Sequence, residues 1–378
     1  NTQMPMMLAA NEPLDVFMTS SVYVPQYIDS QYIRDLDDYI DSLDGALEQL
    51  GDTYEAGYVG DFLAGLPTLK EQAVPSALIC RKDIMDELGY TPNVFARGLG
   101  LNSMNTVGIV CPDVSDTYMA CAVAYLEKSL GEYGYDCILY CSGYEPQDKV
   151  WAVQRILQKR IDALVLVGSN YVGNETPGDI AYLKEAAQQV PVFLINGYVQ
   201  CPTIYCVLSD VYQITYDTVS KLIASGRKQI LFLYNSYSYS AREKKRGYEE
   251  ALRDHGLLIC EELEVFVENK ILKVRDKLFQ ETSRKFDAVV TTDDGLAAGA
   301  LKYAAMKGIF VPDEMNIIGF NDSELAVCCE PELSSIDSQG ELICKKTVDN
   351  MMKVLEDHTI QHKTVVPCHL VKRKTTNF

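Results

Sequence analysis

From position 105 onward, short unbroken apolar runs alternate with longer stretches in which apolar residues recur three and four apart. The first runs are 105–111 (NTVGIVC), Asp136–Cys141 (DCILYC), Ala163–Val167 (ALVLV) and 192–195 (VFLI). Between them, 118–133 and 147–159 carry the helical spacing. A strand that is apolar on both faces belongs to a sheet covered on both sides, so the pattern predicts parallel strands with helical crossovers. A second series follows: strands at 205–208, 229–234, 287–292 and 316–320, with helices at 211–225, 241–255, 295–307 and 341–357. Gly226, Gly256 and Gly308 stand where these helices end, as left-handed caps require.

Two consecutive series of similar length predict an α/β protein of two doubly wound parallel-sheet lobes. Their expected extents are about 105–208 plus a C-terminal crossover, and about 209–335. Ligands of such sheets sit beyond the carboxyl ends of the strands, so a cleft between the lobes is the expected site.

Charge separates the first quarter from the rest. The 378-residue chain has a formal net charge of -19, yet residues 1–90 hold 16 acidic and 4 basic side chains, against 37 and 30 in the remainder. Phosphate contacts need clustered Lys and Arg, so this acidity counts against the whole chain as a polyanion binder. Twelve cysteines without a CxxC, several in apolar runs, predict reduced thiols in a cytoplasmic protein and no disulfide scaffold. No apolar stretch reaches the length of a membrane span, and the first residues lack the pattern of a signal peptide.

Several short motifs, in order and at matching spacing, carry a resemblance. Leu88-Gly89-Tyr90-Thr91-Pro92-Asn93 with Ala96-Arg97 opens the series, followed by Val110-Cys111-Pro112-Asp113 and Lys159-Arg160-Ile161-Asp162-Ala163. Ser225-Gly226-Arg227-Lys228-Gln229-Ile230, Val311-Pro312-Asp313 and Ile318-Gly319-Phe320-Asn321-Asp322 complete it. Over about residues 88–375 the chain resembles the LacI/GalR family of transcriptional regulators, whose ligand-binding core is periplasmic-binding-protein-like, of type I. The resemblance implies a sugar or related small effector between the lobes and a homodimer.

It also implies site residues. Asp116 and Tyr118 fall in the family's ligand loop, although both also suit a helix cap and a core position. Lys244 stands where the family has an Arg, with Arg242 two residues earlier; a lysine cannot copy the bidentate fork of a guanidinium. Asp294 falls on the ligand-binding carboxylate, Asn196 closes a strand, and Ser338 occupies a polar contact position. Asn93, Ala96, Arg97 and Leu99 match the hinge segment that meets DNA.

The family's helix-turn-helix pattern is not found in residues 1–87, so DNA contact is expected only where a headpiece is supplied. That acidic segment instead resembles fragments of carbohydrate-type extracellular solute-binding proteins, at Glu12–Phe17, Leu36–Ile40, Ala64–Thr68 and Ile79–Asp83. The expected organisation is therefore residues 1–87, a linker at 88–104 and the core at 105–378. No nucleophile elbow, phosphate-binding loop or metal-ligand spacing occurs, so neither an enzyme nor a metal or cofactor protein is expected. The leading expectation is a LacI-type regulator. The alternatives are a carbohydrate solute-binding protein of a transport system and a ligand sensor without DNA contact.

Overall fold

The structure, a computed structural model, describes residues 24–42, 50–66, 103–173, 176, 178–281 and 285–378. The chain divides into two compact units, Asn1–Pro92 and Asn93–Phe378. The hinge motif with Asn93, Ala96, Arg97 and Leu99 lies outside the described residues.

In the first unit, a six-residue helix Val24–Asp29 precedes two 3-10 segments and a small hairpin in which Tyr58–Val59 pairs with Phe62–Leu63. The Asp35 carboxylate accepts from the backbone of Asp37 and Leu63, which ties the segment to the hairpin.

The second unit holds both lobes, and its elements are numbered from its first strand. Strands β1 (Thr106–Cys111), β2 (Asp136–Cys141), β3 (Ala163–Val167), β4 (Val192–Ile195) and β5 (Ile204–Ser209) build the first sheet. Helices α1 (Thr117–Glu132), α2 (Pro146–Leu157) and α3 (Ala181–Ala186) connect them. After α4 (Val211–Ala224), the second sheet takes β6 (Ile230–Tyr234), β7 (Glu264–Phe266), β8 (Ala288–Thr291), β9 (Asn316–Phe320) and β10 (Ser334–Asp337). Its helices are α5 (Tyr239–Asp254), α6 (Ile271–Glu281), α7 (Asp294–Lys307) and the short α8 (Glu324–Cys328). The chain then returns through α9 (Gly340–Leu355) and β11 (Lys363–Val366) and ends with β12 (His369–Val371).

The two sheets repeat one topology. The first has the order β11-β5-β4-β3-β1-β2, all parallel; the second has β12-β10-β9-β8-β6-β7, parallel except for β12. Each sheet is covered on both faces by separate apolar clusters, which is why its central strands read as continuous apolar runs. The lobes exchange chain three times. The first lobe gives way to the second after Ser209, the second returns to the first between Asp337 and Gly340, and the chain crosses back between Val366 and His369. The second lobe therefore runs past position 335 to Asp337 and also takes the C-terminal strand, while the first lobe gains a whole helix and an edge strand.

The recurring motifs have physical reasons. Asp162, just before β3, accepts from the backbone of Met104 and Thr106 and so fixes the start of β1. Asp287 does the same in the second lobe, accepting from Lys228 and Gln229 at the start of β6. Arg227 spreads its guanidinium over the Asn316 side chain and the carbonyls of Pro312, Asp313 and Glu314, pinning the loop before β9. The sequence pattern missed α3, β7, α6, α8, β10, β11 and β12. Most are short or polar: β10 reads Ser-Ser-Ile-Asp, and β11 shows an exposed face.

Arg227→Ala leaves several acceptors of one loop without their charged donor. The variant should lose about 1–3 kcal/mol, read as a lower urea midpoint at unchanged slope. A midpoint equal to that of the parent chain would mean that the loop holds itself.

Candidate functional site

Loops at the carboxyl ends of the two sheets approach each other, since Asp293 after β8 acts on Asp116 after β1 and Arg242 reaches the Gly173 carbonyl, and backbone geometry at those ends places the polar groups. After β1, Asp116 caps α1 and accepts from the Met119 backbone at 3.1 Å. Tyr118 lies in the first turn of that helix, where its hydroxyl accepts from Asn196 Nδ2 at 2.7 Å. Asn196 itself adopts a left-handed backbone (φ 60°) at the end of β4, and its Oδ1 accepts from the Ser209 backbone at the end of β5. An Asn tolerates that conformation better than most residues, and there its amide links three elements. Its role is to position Tyr118. Burial raises the Tyr118 phenol well above its ordinary pKa against the pull of the Asn196 bond.

In the second lobe, β8 runs into Thr292-Asp293-Asp294. Asp293 caps α7 through the Gly295 backbone at 2.8 Å, and its oxygens also accept from Asn269 at 2.8 Å and Asn321 at 3.1 Å. It remains partly exposed at the strand end.

The next residue, Asp294, is set deeper. That residue is 1% exposed, and its carboxylate accepts from Ser335 Oγ at 2.6 Å, Ser323 Oγ at 2.8 Å and the Ser323 backbone at 2.7 Å. A Cβ at Gly319 would stand 2.0 Å from Asp294 Oδ1, so glycine is needed in β9 to admit the carboxylate. Asp294 therefore ties α7 to β10 and the loop after β9, beneath the cleft.

Two further candidate positions are also buried. Lys244 is buried under the floor, where its ammonium donates to the Thr292 carbonyl at 3.0 Å and sits 3.4 Å from the centre of the Phe320 ring. Burial lowers its pKa to about 8, opposed by Asp293, Cys368 and Asp294. Ser338 is also buried, and its carbonyl receives the Ser209 hydroxyl at 2.9 Å, a bond between two of the crossings. Asp210 joins the first crossing to the third, its backbone donating to the Val366 carbonyl at 2.8 Å.

Arg242 lies between the lobes. Its Nη1 donates to the Gly173 carbonyl of the first lobe and to the Tyr237 carbonyl of the second, each at 2.9 Å. Nearby, the Tyr239 backbone donates to the Ser169 carbonyl at 3.3 Å. These contacts bridge the two lobes.

Sequence reasoning did not find Asp293, nor the aromatic groups at the strand ends. Tyr234 ends β6, Phe266 ends β7, and Tyr237 stacks on Phe266 with ring centres 5.3 Å apart; the latter two rings are partly open to solvent. An aromatic residue closing one of these apolar strands was the available signal. The electrostatics are acidic: burial raises the Asp116 carboxyl, and Asp293 in the opposite lobe raises it further, against the helix-cap bond. A cavity of about 210 Å³ lies beside the first crossing, lined in part by Asp210, Tyr212, Arg246 and Lys363.

A family profile described as a periplasmic binding protein-like domain matches residues 219–376. An HTH-type transcriptional regulator of Lachnoclostridium phytofermentans is 45% identical over 322 residues, spanning 85% of this chain and 95% of its own length. That span exceeds what residues 88–378 supply, so the kinship extends into part of the acidic segment. Among solved structures, the lac repressor dimer bound to operator and the anti-inducer ONPF aligns with a TM-score of 0.68 at 21% identity, covering 76% of this chain and 99% of that one. The transcriptional regulator CelR in complex with cellobiose aligns at 0.63 with 21% identity, covering 78% and 89%. At these identities the structures speak for the fold.

Burial raises the Asp294 carboxyl from 3.8 to about 6, although the bonds from Ser335 and Ser323 pull it down. A carboxyl whose pKa rises on folding favours the protonated folded state, so its contribution is complete below about pH 4 and is lost as pH climbs through 6. Two units correspond to about 3 kcal/mol. Asp294→Asn should therefore flatten the stability profile between pH 4 and 7, measured by urea unfolding at several pH values. Parallel profiles for variant and parent chain would contradict this.

Proposed function

The chain belongs to the LacI family of transcriptional regulators, and on that premise we propose that its cleft takes a neutral polyhydroxylated effector, a sugar or close relative. The observation that carries this reading is the pair of carboxylates, Asp116 and Asp293, on opposite lobes and close enough that Asp293 adds to the burial that raises the Asp116 carboxyl. Carboxylates accept hydrogen bonds from hydroxyls and repel anions, so a sugar fits where a sugar phosphate does not. The partly exposed rings of Tyr237 and Phe266 offer the apolar faces on which a pyranose stacks. Cellobiose, the ligand of CelR in its solved complex, has this chemistry.

In this reading Asp116 and Asp293 accept effector hydroxyls, Tyr118 borders the ligand under the control of Asn196, and Arg242 closes the lobes. A ligand held by both lobes binds the closed arrangement more tightly than an open one, and that difference is all it can contribute to switching. In a homodimer the shift would reorient the segments that precede the core and meet operator DNA. Asp294, Lys244 and Ser338 support the site without touching the effector.

A thermal-shift panel of neutral sugars, sugar phosphates and nucleosides tests the ligand class. A neutral sugar should raise the unfolding midpoint, and sugar phosphates should not. For the best hit, Asp293→Asn should weaken calorimetric affinity at least tenfold, about 1.4 kcal/mol. Stabilisation by sugar phosphates alone, or an unchanged affinity in Asp293→Asn, would contradict the assignment.

A further inference from the structure

Beyond the cleft, the first sheet carries two thiols side by side at the carboxyl ends of neighbouring strands. Cys111 ends β1 and Cys141 ends β2, and the two are direct register partners in the parallel pairing. Side chains of register partners point to one face, and Val107 and Ile109 on β1 share the face of Cys111 within the same apolar cluster. Neighbouring strands lie roughly 4.7–4.9 Å apart, within the Cα separation that a disulfide spans. The two thiols are also hydrogen-bond neighbours.

The strand ends are held together on both sides of the pair. Val110 and Tyr140 are in register before it, and beyond it the Ser142 backbone donates to the Cys111 carbonyl at 2.9 Å and Gly143 to Pro112 at 2.8 Å. The two residues differ in access. Cys111 is fully buried beneath α1, whereas Cys141 is exposed on the edge strand. Neither Cys111 nor Cys141 is in a disulfide.

We propose that Cys111 and Cys141 form a redox-active pair that a small-molecule disulfide converts into an intramolecular disulfide, with Cys141 as the point of entry and Cys111 as the resolving thiol. In the first step the Cys141 thiolate attacks one sulfur of the oxidant; a mixed disulfide forms, the oxidant's S–S bond breaks, and one small thiol leaves. In the second step the Cys111 sulfur attacks Sγ of Cys141, the mixed disulfide's S–S bond breaks, and the Cys111 proton passes to the departing second small thiol. Two protein thiols are oxidised by two electrons, and the oxidant is reduced to two thiols. Burial and the neighbouring thiol push Cys111 up to about 12, which suits the slower resolving role and leaves first attack to the exposed partner. The bond would close two residues before Asp113, at the start of the loop that carries Asp116.

The test treats the full chain with glutathione disulfide and maps its peptides without reduction. The expected product is a 111–141 cross-linked peptide, lighter than the two free peptides by two hydrogens and reversed by dithiothreitol. Cys111→Ala, which keeps the buried position small and apolar, should stop the reaction at a stable glutathione adduct on Cys141. Cys141→Ser should leave Cys111 unmodified. A parent chain that ends as a stable adduct at Cys141, links Cys141 to another cysteine or to a second copy, or stays fully reduced would overturn the proposal.

Discussion

Three crossings of the chain between two like sheets are the constraint from which the rest follows. They run through Ser209–Asp210, Asp337–Gln339 and Pro367–Cys368, and two hydrogen bonds gather them: Ser209 to the Ser338 carbonyl and Asp210 to the Val366 carbonyl. The crossings join the two sheets near one edge of each. Each sheet then turns its carboxyl ends to the other, and a cleft forms where the loops after β1, β4, β6 and β8 converge. Gln339, with φ 58° and its side chain held by Asp337, shows how tightly the second crossing is set.

The cleft separates residues that face it from residues that hold it. At each strand end a polar group stays partly open, and the group next to it is consumed by internal bonds. Asp293 is partly exposed, with its oxygens accepting from Gly295, Asn269 and Asn321, while Asp294 is buried against two serines. Asn196 is spent on Tyr118 and Ser209 and so fixes the Tyr118 hydroxyl. Lys244 gives its charge to a carbonyl and a ring below the floor. The facing surfaces are thereby left acidic and aromatic, a combination suited to hydroxyl-rich neutral molecules.

Much of this fold was legible in the sequence because burial on both faces of a sheet leaves no ambiguity of period. Ala163–Val167 and Val192–Ile195, buried along their whole length, appear as read, and so does the edge strand Asp136–Cys141, which is not buried. Gly226, Gly256 and Gly308 take the left-handed conformation their positions implied. The strands missed lie at or near sheet edges, β10, β11 and β12 beside the crossings and the three-residue β7 at the far edge of the second sheet, where short length and polar residues erase the apolar run. The candidate site was legible only to within a residue. Adjacent aspartates at a strand end differ by one step of backbone, and which of them turns inward is decided by a glycine in a strand distant in sequence, Gly319, and by Ser323 and Ser335. No local pattern carries that information. The aromatic shelf escaped for a related reason: Tyr234 and Phe266 read as strand residues, and only the sheet order puts their strands side by side.

The central claim is that one neutral ligand is held by both lobes at once. A crystal structure of the chain with a saturating sugar tests it most directly. The account expects density between Asp116 and Asp293, with hydroxyls within hydrogen-bonding distance of both carboxylates and the Arg242 bridge to Gly173 intact. Density confined to one lobe, or seated in the cavity beside Asp210 and Lys363 with the cleft unchanged, would contradict it.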